Sequence, residues 1–597
     1  MVAISSGALS PSRENKNPAL ADKAVVHARP TSLIYAVDER PPVVVLMVSA
    51  LQHLVTIGSI GAVFPLLVLQ AAEAPAATVV RVISASMLAL GIATLLLCHR
   101  SRRLGTGYLV PSVFTAAYLP ASIVAVKEGG WPLVCGMTML AGVVEMILSR
   151  FVHRLRPYLP TEIAGFAVLM IGLTLGILGF NLVTGVSAAG ESMGPDAGAH
   201  ALLGTACVAF MIALNIWGSK SLRLFGVLIG LIVGYIAAVF AGMVNFSEAQ
   251  SSFAAAIAPP LPLTGWPAFS TDLIVPFAVG AVACALRAMG DITTAQKAND
   301  AQWQRPDMAS MQSGLLADGL GSVVAGLLGT VGVNSFSGSI GLSIATGVTS
   351  RAVGYATGVL FIFVSFMPPL SELLALMPRP VMGAILIFTA CFILLSGMQV
   401  ITSRLMDGRR TLVIGAGLLL GFSRYLFPAF YAAAPSYLQP VVSSPLVIGL
   451  LTALGLNLVF RIGIKKTAET TYTPGADRLE VLAAFAMERG GVWGARRDVM
   501  ERVANAMVEC AECLAFLIKA GTSARFALAF DEYRIDLVLR YGGKPFVVDG
   551  TMPSAEELLA DEAQVSRLAV LMIRRLASRL NVTTSGELQR VTMSFDQ

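Results

Sequence analysis

Charge is scarce in this sequence. Of 597 residues only 13% are Asp, Glu, Lys or Arg, against 55% hydrophobic. With a mean hydropathy of +0.74, that shortage excludes an ordinary soluble domain and points to an integral membrane protein with many spans. The net charge of +6 is small and dispersed, so the chain carries no electrostatic footprint for nucleic acid. Cysteine is sparse as well. Cys98, Cys135, Cys207, Cys284 and Cys391 stand alone in apolar runs, which leaves no disulfide framework. The one close pair, Cys510 and Cys513, has no second pair or histidine beside it, so a zinc site is not expected. There is no Walker loop, so ATP does not drive the membrane part directly. No hydrolase, kinase or redox constellation occurs there either, and the chain reads as a non-enzyme without cofactor or metal. Residues 1–40 contain no apolar core long enough for a signal peptide. With Arg13, Lys16, Lys23 and Arg29 they read as a cytosolic arm.

What the sequence has in abundance is apolar runs. They fall near 43–70, 77–98, 108–125, 130–151, 160–180, 198–218 and 221–243. A second set falls near 271–289, 312–330, 336–347, 353–376, 380–401, 411–428 and 443–462. This predicts fourteen segments in two sets of seven, the third of each set being short or broken, which is the mark of an inverted repeat. Arg100, Arg102, Arg103, Arg150, Lys220, Arg223, Lys297, Arg305, Arg351, Arg404, Arg409, Arg410, Arg461, Lys465 and Lys466 fall in alternate loops. Glu73, Lys127, Glu128, Glu191, Asp196, Glu248 and Glu372 make up most of the charge in the others. By the positive-inside rule both termini are then cytoplasmic, in a plasma membrane of the bacterial inner type.

The second broken segment, from Gly329 to Arg351, is too polar and glycine-rich for an ordinary spanning helix. Asn334, Ser335, Ser337, Ser339 and Ser343 crowd it. In hydrocarbon such backbone survives only where it lines a cavity or is buried in protein, so this stretch predicts a midplane binding site. Asp291 and Asp318 are the acidic residues well placed in the second-half spans. Intramembrane carboxylates are costly, which makes them candidates for coupling to H+ or Na+; ion pairing and helix-to-helix hydrogen bonding are the structural alternatives. From about 466 the composition changes. Helical periodicity over 497–519 and 562–580, with a strand pair over 525–540 turning at Asp531-Glu532, predicts a cytosolic α+β domain over 466–597 after a membrane domain at 41–465.

Several motifs in order and spacing then resemble the nucleobase–ascorbate transporters, the xanthine, uric acid and uracil permeases. They are Gln52-His53, RPYLPTEIAGFAVLMIGLTL at 156–175, LLADGLGSVVAGLLGT at 315–330, MPRPVMGA at 377–384, and Phe336 to Gly341 with Ala345-Thr346-Gly347 and Arg351. The resemblance implies secondary-active transport of a nucleobase by an elevator-like movement of a core (spans 1–4 and 8–11) against a gate, in a homodimer. Carried over residue by residue, it implies substrate contacts from Gln52, His53, Phe114, Arg287, Ser337, Gly338, Ser339 and Ile340. Two departures stand out. The family's Gln-Asn pair is Gly338-Ser339 here, and its substrate-binding glutamate is Arg287, followed by the retained Gly290-Asp291. Arg287 and backbone N–H groups at broken-helix ends offer donors, which suits an acceptor-rich or anionic ligand such as urate or a xanthine anion. Alternatively, Arg287 pairs with Asp291 along one helical face. Transport of another small anion on the same fold, and a membrane sensor, are the competing readings.

The tail resembles the ATP-binding fold of anti-sigma-factor and histidine kinases at 525–546 and 566–595. Glu509 stands in a metal-binding place, Cys513 replaces the asparagine, and Arg540-Tyr541-Gly542 replaces Asp-x-Gly. These losses argue against ATP hydrolysis and for a regulatory role, with a cytosolic regulatory protein as the partner and nucleotide binding as the alternative.

Overall fold

The computed structural model describes residues 30–596 apart from 32, 102, 156–159, 186–196, 220–221, 223–224, 245–256, 261–264, 302, 304–305, 403–405, 407, 436–437, 461–465, 519–520, 532–533, 547–562 and 586–587. Most of the expected N-terminal arm lies outside the described residues, as do Arg102, Lys220, Arg223, Arg305, Arg404, Arg461 and Lys465 among the loop cations.

The chain divides into two compact units, residues 1–153, 167–395 and 424–447 in one, and 154–166, 396–423 and 448–597 in the other. The division does not follow the change of composition near 466. The helices through the apolar region are α1 (Val43–Gly61), α2 (Val63–Ala71), α3 (Ala76–Cys98), α4 (Leu119–Leu155), α5 (Thr161–Thr184), α6 (Ala197–Trp217) and α7 (Gly226–Phe240). After these come α8 (Ile274–Asn299), α9 (Met308–Leu327), α10 (Ser337–Thr346), α11 (Arg351–Ser365), α12 (Pro368–Ala375), α13 (Arg379–Thr402), α14 (Gly408–Leu426) and α15 (Pro445–Phe460). Among the described residues seven spans are long and apolar enough to cross a membrane, or eight if α11 and α12, bent by 91°, make one. The chain is thus a helical, multi-pass integral membrane protein. Large apolar side chains stand on outer faces, Leu202 at 75% and Phe363 at 64% exposure, as expected where lipid and not water is the neighbour.

Two local breaks shape the first unit. In α4 the angles of Gly129 (φ −139°, ψ 15°) and Gly130 (φ 68°, ψ −165°) are non-helical, and Pro132 follows. Proline cannot supply the hydrogen bond that would carry the helix through, so the run becomes a short helix from 119 and a longer one to 155. The second break is at the two broken segments. Ser112–Phe114 forms β1, Val333–Ser335 forms β2, and they pair antiparallel with Ser112 opposite Ser335 and Phe114 opposite Val333. Each strand runs straight into a helix, β1 through the 3₁₀ turn Ala116–Tyr118 into α4, and β2 into α10. Both strands are fully buried. The pairing answers the cost of non-helical backbone at membrane depth, since each strand supplies the other's partners.

In the second unit Glu162 and Arg410 form a buried ion pair at 2.8 Å. Beyond α15 lie β3 (Lys466–Tyr472), α16 (Leu479–Trp493), α17 (Arg497–Leu517), β4 (Ala524–Asp531), β5 (Arg534–Gly542), α18 (Ala563–Leu576), β6 (Arg579–Ser585) and β7 (Leu588–Asp596). The sheet order is β3-β4-β5-β7-β6, with every neighbouring pair antiparallel. Alternation puts Phe526, Leu528, Ile535, Leu537, Met593 and Phe595 on one buried face, packed with α17. The expected turn after Asp531 falls at 532–533, outside the described residues. The five-stranded sheet exceeds the two strands read from sequence, because β3, β6 and β7 carry polar alternate positions that dilute the apolar signal.

Candidate functional site

The site is built around Asp291, in the middle of α8. Its Oδ2 accepts from Ser335 Oγ at 2.7 Å and its Oδ1 from Ser337 Oγ at 2.5 Å. The carboxylate therefore ties α8 to the end of β2 and the start of α10. Arg287, one turn earlier, has its Nε 3.9 Å from Asp291 Oδ2. That Nε is buried without a hydrogen-bond partner, so the pair is a loose one. Asn334 Nδ2 is likewise buried and unpartnered. A buried donor left unmade costs about 1–3 kcal/mol, and both groups lie where the two strands meet.

A small cavity adjoins Arg287. Its lining includes Val113, Phe114, Ala116, Arg287, Phe336 and Thr389, and its volume is ≈ 10 Å³. That is room for about one water molecule, so a larger ligand enters only when the walls part. Phe114 comes from β1 and Phe336 from the junction of β2 with α10, so two rings and one guanidinium border the same space. Gly338 explains the position of Phe336. A Cβ on Gly338 would stand 2.5 Å from the Phe336 ring, and only its absence lets the ring fold over the first turn of α10.

The other expected contacts are placed differently. His53 Nδ1 lies 3.1 Å from Ser339 Oγ and its Nε2 lies 3.5 Å from Ser343 Oγ, while Ser343 Oγ donates to Ser339 O at 2.8 Å. With the Ser343 proton used in that way, Ser343 Oγ accepts from His53 Nε2–H, and His53 Nδ1 accepts from Ser339. A neutral histidine thus clamps one turn of α10 to α1. The N–H groups of Ser339 and Ile340 both go to Phe336 O, leaving the Ser337 and Gly338 N–H groups as the ones without a carbonyl one turn back. Ile340 is buried in a separate cluster with Val37, Tyr108, Val110 and Ala295, so it packs the far face. Gln52 is half-buried and outside the cluster.

Sequence reasoning missed two residues here: Phe336 as a wall group, and Glu145 on α4. Glu145 is fully buried, and its carboxyl lies against that of Asp318 on α9 within hydrogen-bonding range. One glutamate in a glycine- and methionine-rich span was the signal. No group of three or more His, Cys, Asp or Glu able to hold a metal occurs among the described residues. In the tail, Cys510 and Cys513 are buried in the core between α17 and the sheet. Burial pushes the Cys510 thiol well up and the Cys513 thiol to about 12, so both stay protonated and are poor zinc ligands.

Known proteins extend this geometry. The Permease family model of xanthine/uracil type matches residues 45–430. The xanthine permease XanQ of Escherichia coli K12 is 30% identical over 458 residues, covering 73% of this chain and 95% of that protein. The uric acid permease PucK of Bacillus subtilis 168 is 26% identical over 423 residues, covering 70% and 95%. These relatives are permeases and not enzymes. Among solved structures, that of SLC26A9 aligns with a TM-score of 0.50 at 12% identity, over 73% of this chain and 69% of that one, which is a likeness of fold.

Proposed function

We infer that this chain, which belongs to the nucleobase–ascorbate transporter permease family, is a secondary-active transporter of a xanthine- or urate-type purine. The observation that carries this is the convergence of Phe114, Phe336 and the unpartnered Arg287 Nε on one cavity beside the paired strands. Two aromatic faces suit a flat heterocycle, and a guanidinium suits its carbonyl oxygens or an anionic edge. The family's amide pair is absent, so the donor on the cavity wall is Arg287, with Asn334 Nδ2 and the Ser337 and Gly338 N–H groups held in the adjoining strand and helix end. This favours an acceptor-rich or anionic purine, urate or the xanthine anion, over neutral uracil. Within the reading, fourteen segments form a seven-plus-seven inverted repeat, the termini are cytoplasmic, and the core moves elevator-fashion against the gate, in a homodimer. Asp291 and Asp318 are the coupling candidates for H+ or Na+.

Uptake of labelled xanthine, urate and uracil into proteoliposomes tests it. Accumulation of xanthine or urate under an ion gradient supports the reading. No uptake of any base, together with binding of a different organic or inorganic anion that Arg287→Ala abolishes, replaces it with the anion-transporter reading that the loose Arg287–Asp291 pair also fits. The α+β tail is assigned a regulatory role toward a cytosolic partner. Unchanged uptake and unchanged regulation after removal of residues 466–597 would withdraw that role.

A further inference from the structure

Away from the cavity, α4 and α9 cross at unusually short range. A Cβ on Gly319 would lie 2.6 Å from Gly142 O, and one on Gly142 would lie 2.5 Å from Gly319 O. Only two glycines facing each other allow the backbones so close, and the neighbouring positions on the two helices are Glu145 and Asp318. Their exposures are 0% and 1%, and among the described residues none of their four carboxyl oxygens accepts a hydrogen bond from a side-chain or backbone donor. On α9 the pair is linked to β2. The register leaves the Ser335 N–H on the strand edge away from β1, where it faces the Asp318 carboxyl. On the same edge Ser322 Oγ donates to Val333 O at 2.8 Å. Ser335 therefore stands between two carboxylates, its hydroxyl donating to Asp291 and its N–H on the strand edge turned toward α9.

We propose that Glu145 and Asp318 form a shared-proton site, and that the proton bound there is the one coupled to transport. Two carboxylates in contact inside a protein cannot both ionise, so one proton lies between them, as in other carboxyl dyads. The two carboxyls lack the further oxygen ligands that a sodium ion needs, since among the described residues no other carboxyl or hydroxyl oxygen is hydrogen-bonded to them. The surrounding groups are Cys284, Arg287 and Asp291 from α8 and Tyr118 from the 3₁₀ turn; α3 and β2 present uncharged groups. The Tyr118 hydroxyl is buried beside the pair, next to Cys284. Release leaves a charge on the pair beside the edge of β2, which Ser322 ties to α9 and Ser335 ties to Asp291, so the strand carries the change to the start of α10.

This rests on the transport reading above, and one assay separates the two. In proteoliposomes, substrate counterflow needs no net proton movement, whereas accumulation under an imposed pH gradient does. Glu145→Gln puts an amide donor against an ionised Asp318 and mimics the proton-loaded pair with nothing to release. The expected result is loss of accumulation driven by the pH gradient with counterflow retained, and no response to a sodium gradient. Wild-type accumulation in Glu145→Gln, or accumulation driven by sodium alone in the native chain, overturns the proposal. Absence of counterflow in the native chain overturns the transport reading instead. Should Glu145→Gln fail to insert, infrared spectroscopy of the purified native chain decides. A protonated-carboxyl band that Asp318→Asn removes supports the pair, and a neutral-pH spectrum without such a band sinks it.

Discussion

Ser337 donates its hydroxyl to Asp291 Oδ1 at 2.5 Å, and so fastens the first residue of α10 to the middle of α8. Ser335 occupies the other carboxylate oxygen at 2.7 Å. Asp291 thereby holds the end of a strand and the beginning of a helix in one geometry, which a lone ion pair with Arg287 at 3.9 Å could not do. Directional hydrogen bonds fix position; a charge at that range only biases it.

Ser335→Ala removes one of those bonds and leaves an acceptor buried. The expected cost is about 1–3 kcal/mol, seen as a lower unfolding midpoint in detergent and a lower uptake rate. Ser335→Thr keeps the hydroxyl and is expected to recover most of both. Equal behaviour of the two variants would show that the hydroxyl does not matter.

Arg287→Ala removes the guanidinium from the cavity wall. Hydrogen bonds to charged groups are worth about 1.5–3 kcal/mol, so the KM for urate or xanthine is expected to rise roughly 10- to 100-fold. Uracil, neutral and with two oxygens to the three of urate, should lose less than the urate anion. A uniform loss for all bases would point to collapse of the Asp291 cluster instead.

At Gly338 a methyl group would meet the Phe336 ring at 2.5 Å. Gly338→Ala is therefore expected to displace the ring and weaken substrate binding sharply while the protein still inserts. The double variant Gly338→Ala/Phe336→Leu relieves the overlap. If the ring is the obstacle, it restores part of the binding in a direct titration.

Burial, with Glu512 nearby, raises the Glu509 carboxyl above its ordinary value. A carboxyl raised on folding opposes the folded state once it must ionise. The penalty starts as pH climbs past the unfolded value of about 4.3 and is complete above the folded one. Glu509→Gln should accordingly stabilise the C-terminal fold at neutral pH, and the gain should vanish in acid. Hydrogen exchange at β5 and β7 amides in the full-length chain reads this out, and slower exchange in the native protein at neutral pH would contradict it.

Much of the architecture was legible in the residues themselves. A shortage of charge with long apolar runs determines a multi-pass membrane protein, because only helices with internally satisfied backbones survive in lipid. The polarity of Gly329–Arg351 marks a broken segment for the same reason, and the alternation in 525–540 marks paired strands. These are local properties, carried by neighbours in sequence. What only the tertiary structure decided is which polar groups meet. Ile340 and Phe336 are both apolar residues of one short stretch, yet one packs on Val37 and the other on the cavity. Ser339 and Ser337 differ by two positions, yet one holds His53 and the other Asp291. Glu145 is 173 positions from Asp318 by their numbers, and only the Gly142–Gly319 crossing brings them together. Partnership across a fold depends on helix approach and strand register, and no periodicity along one chain segment encodes either.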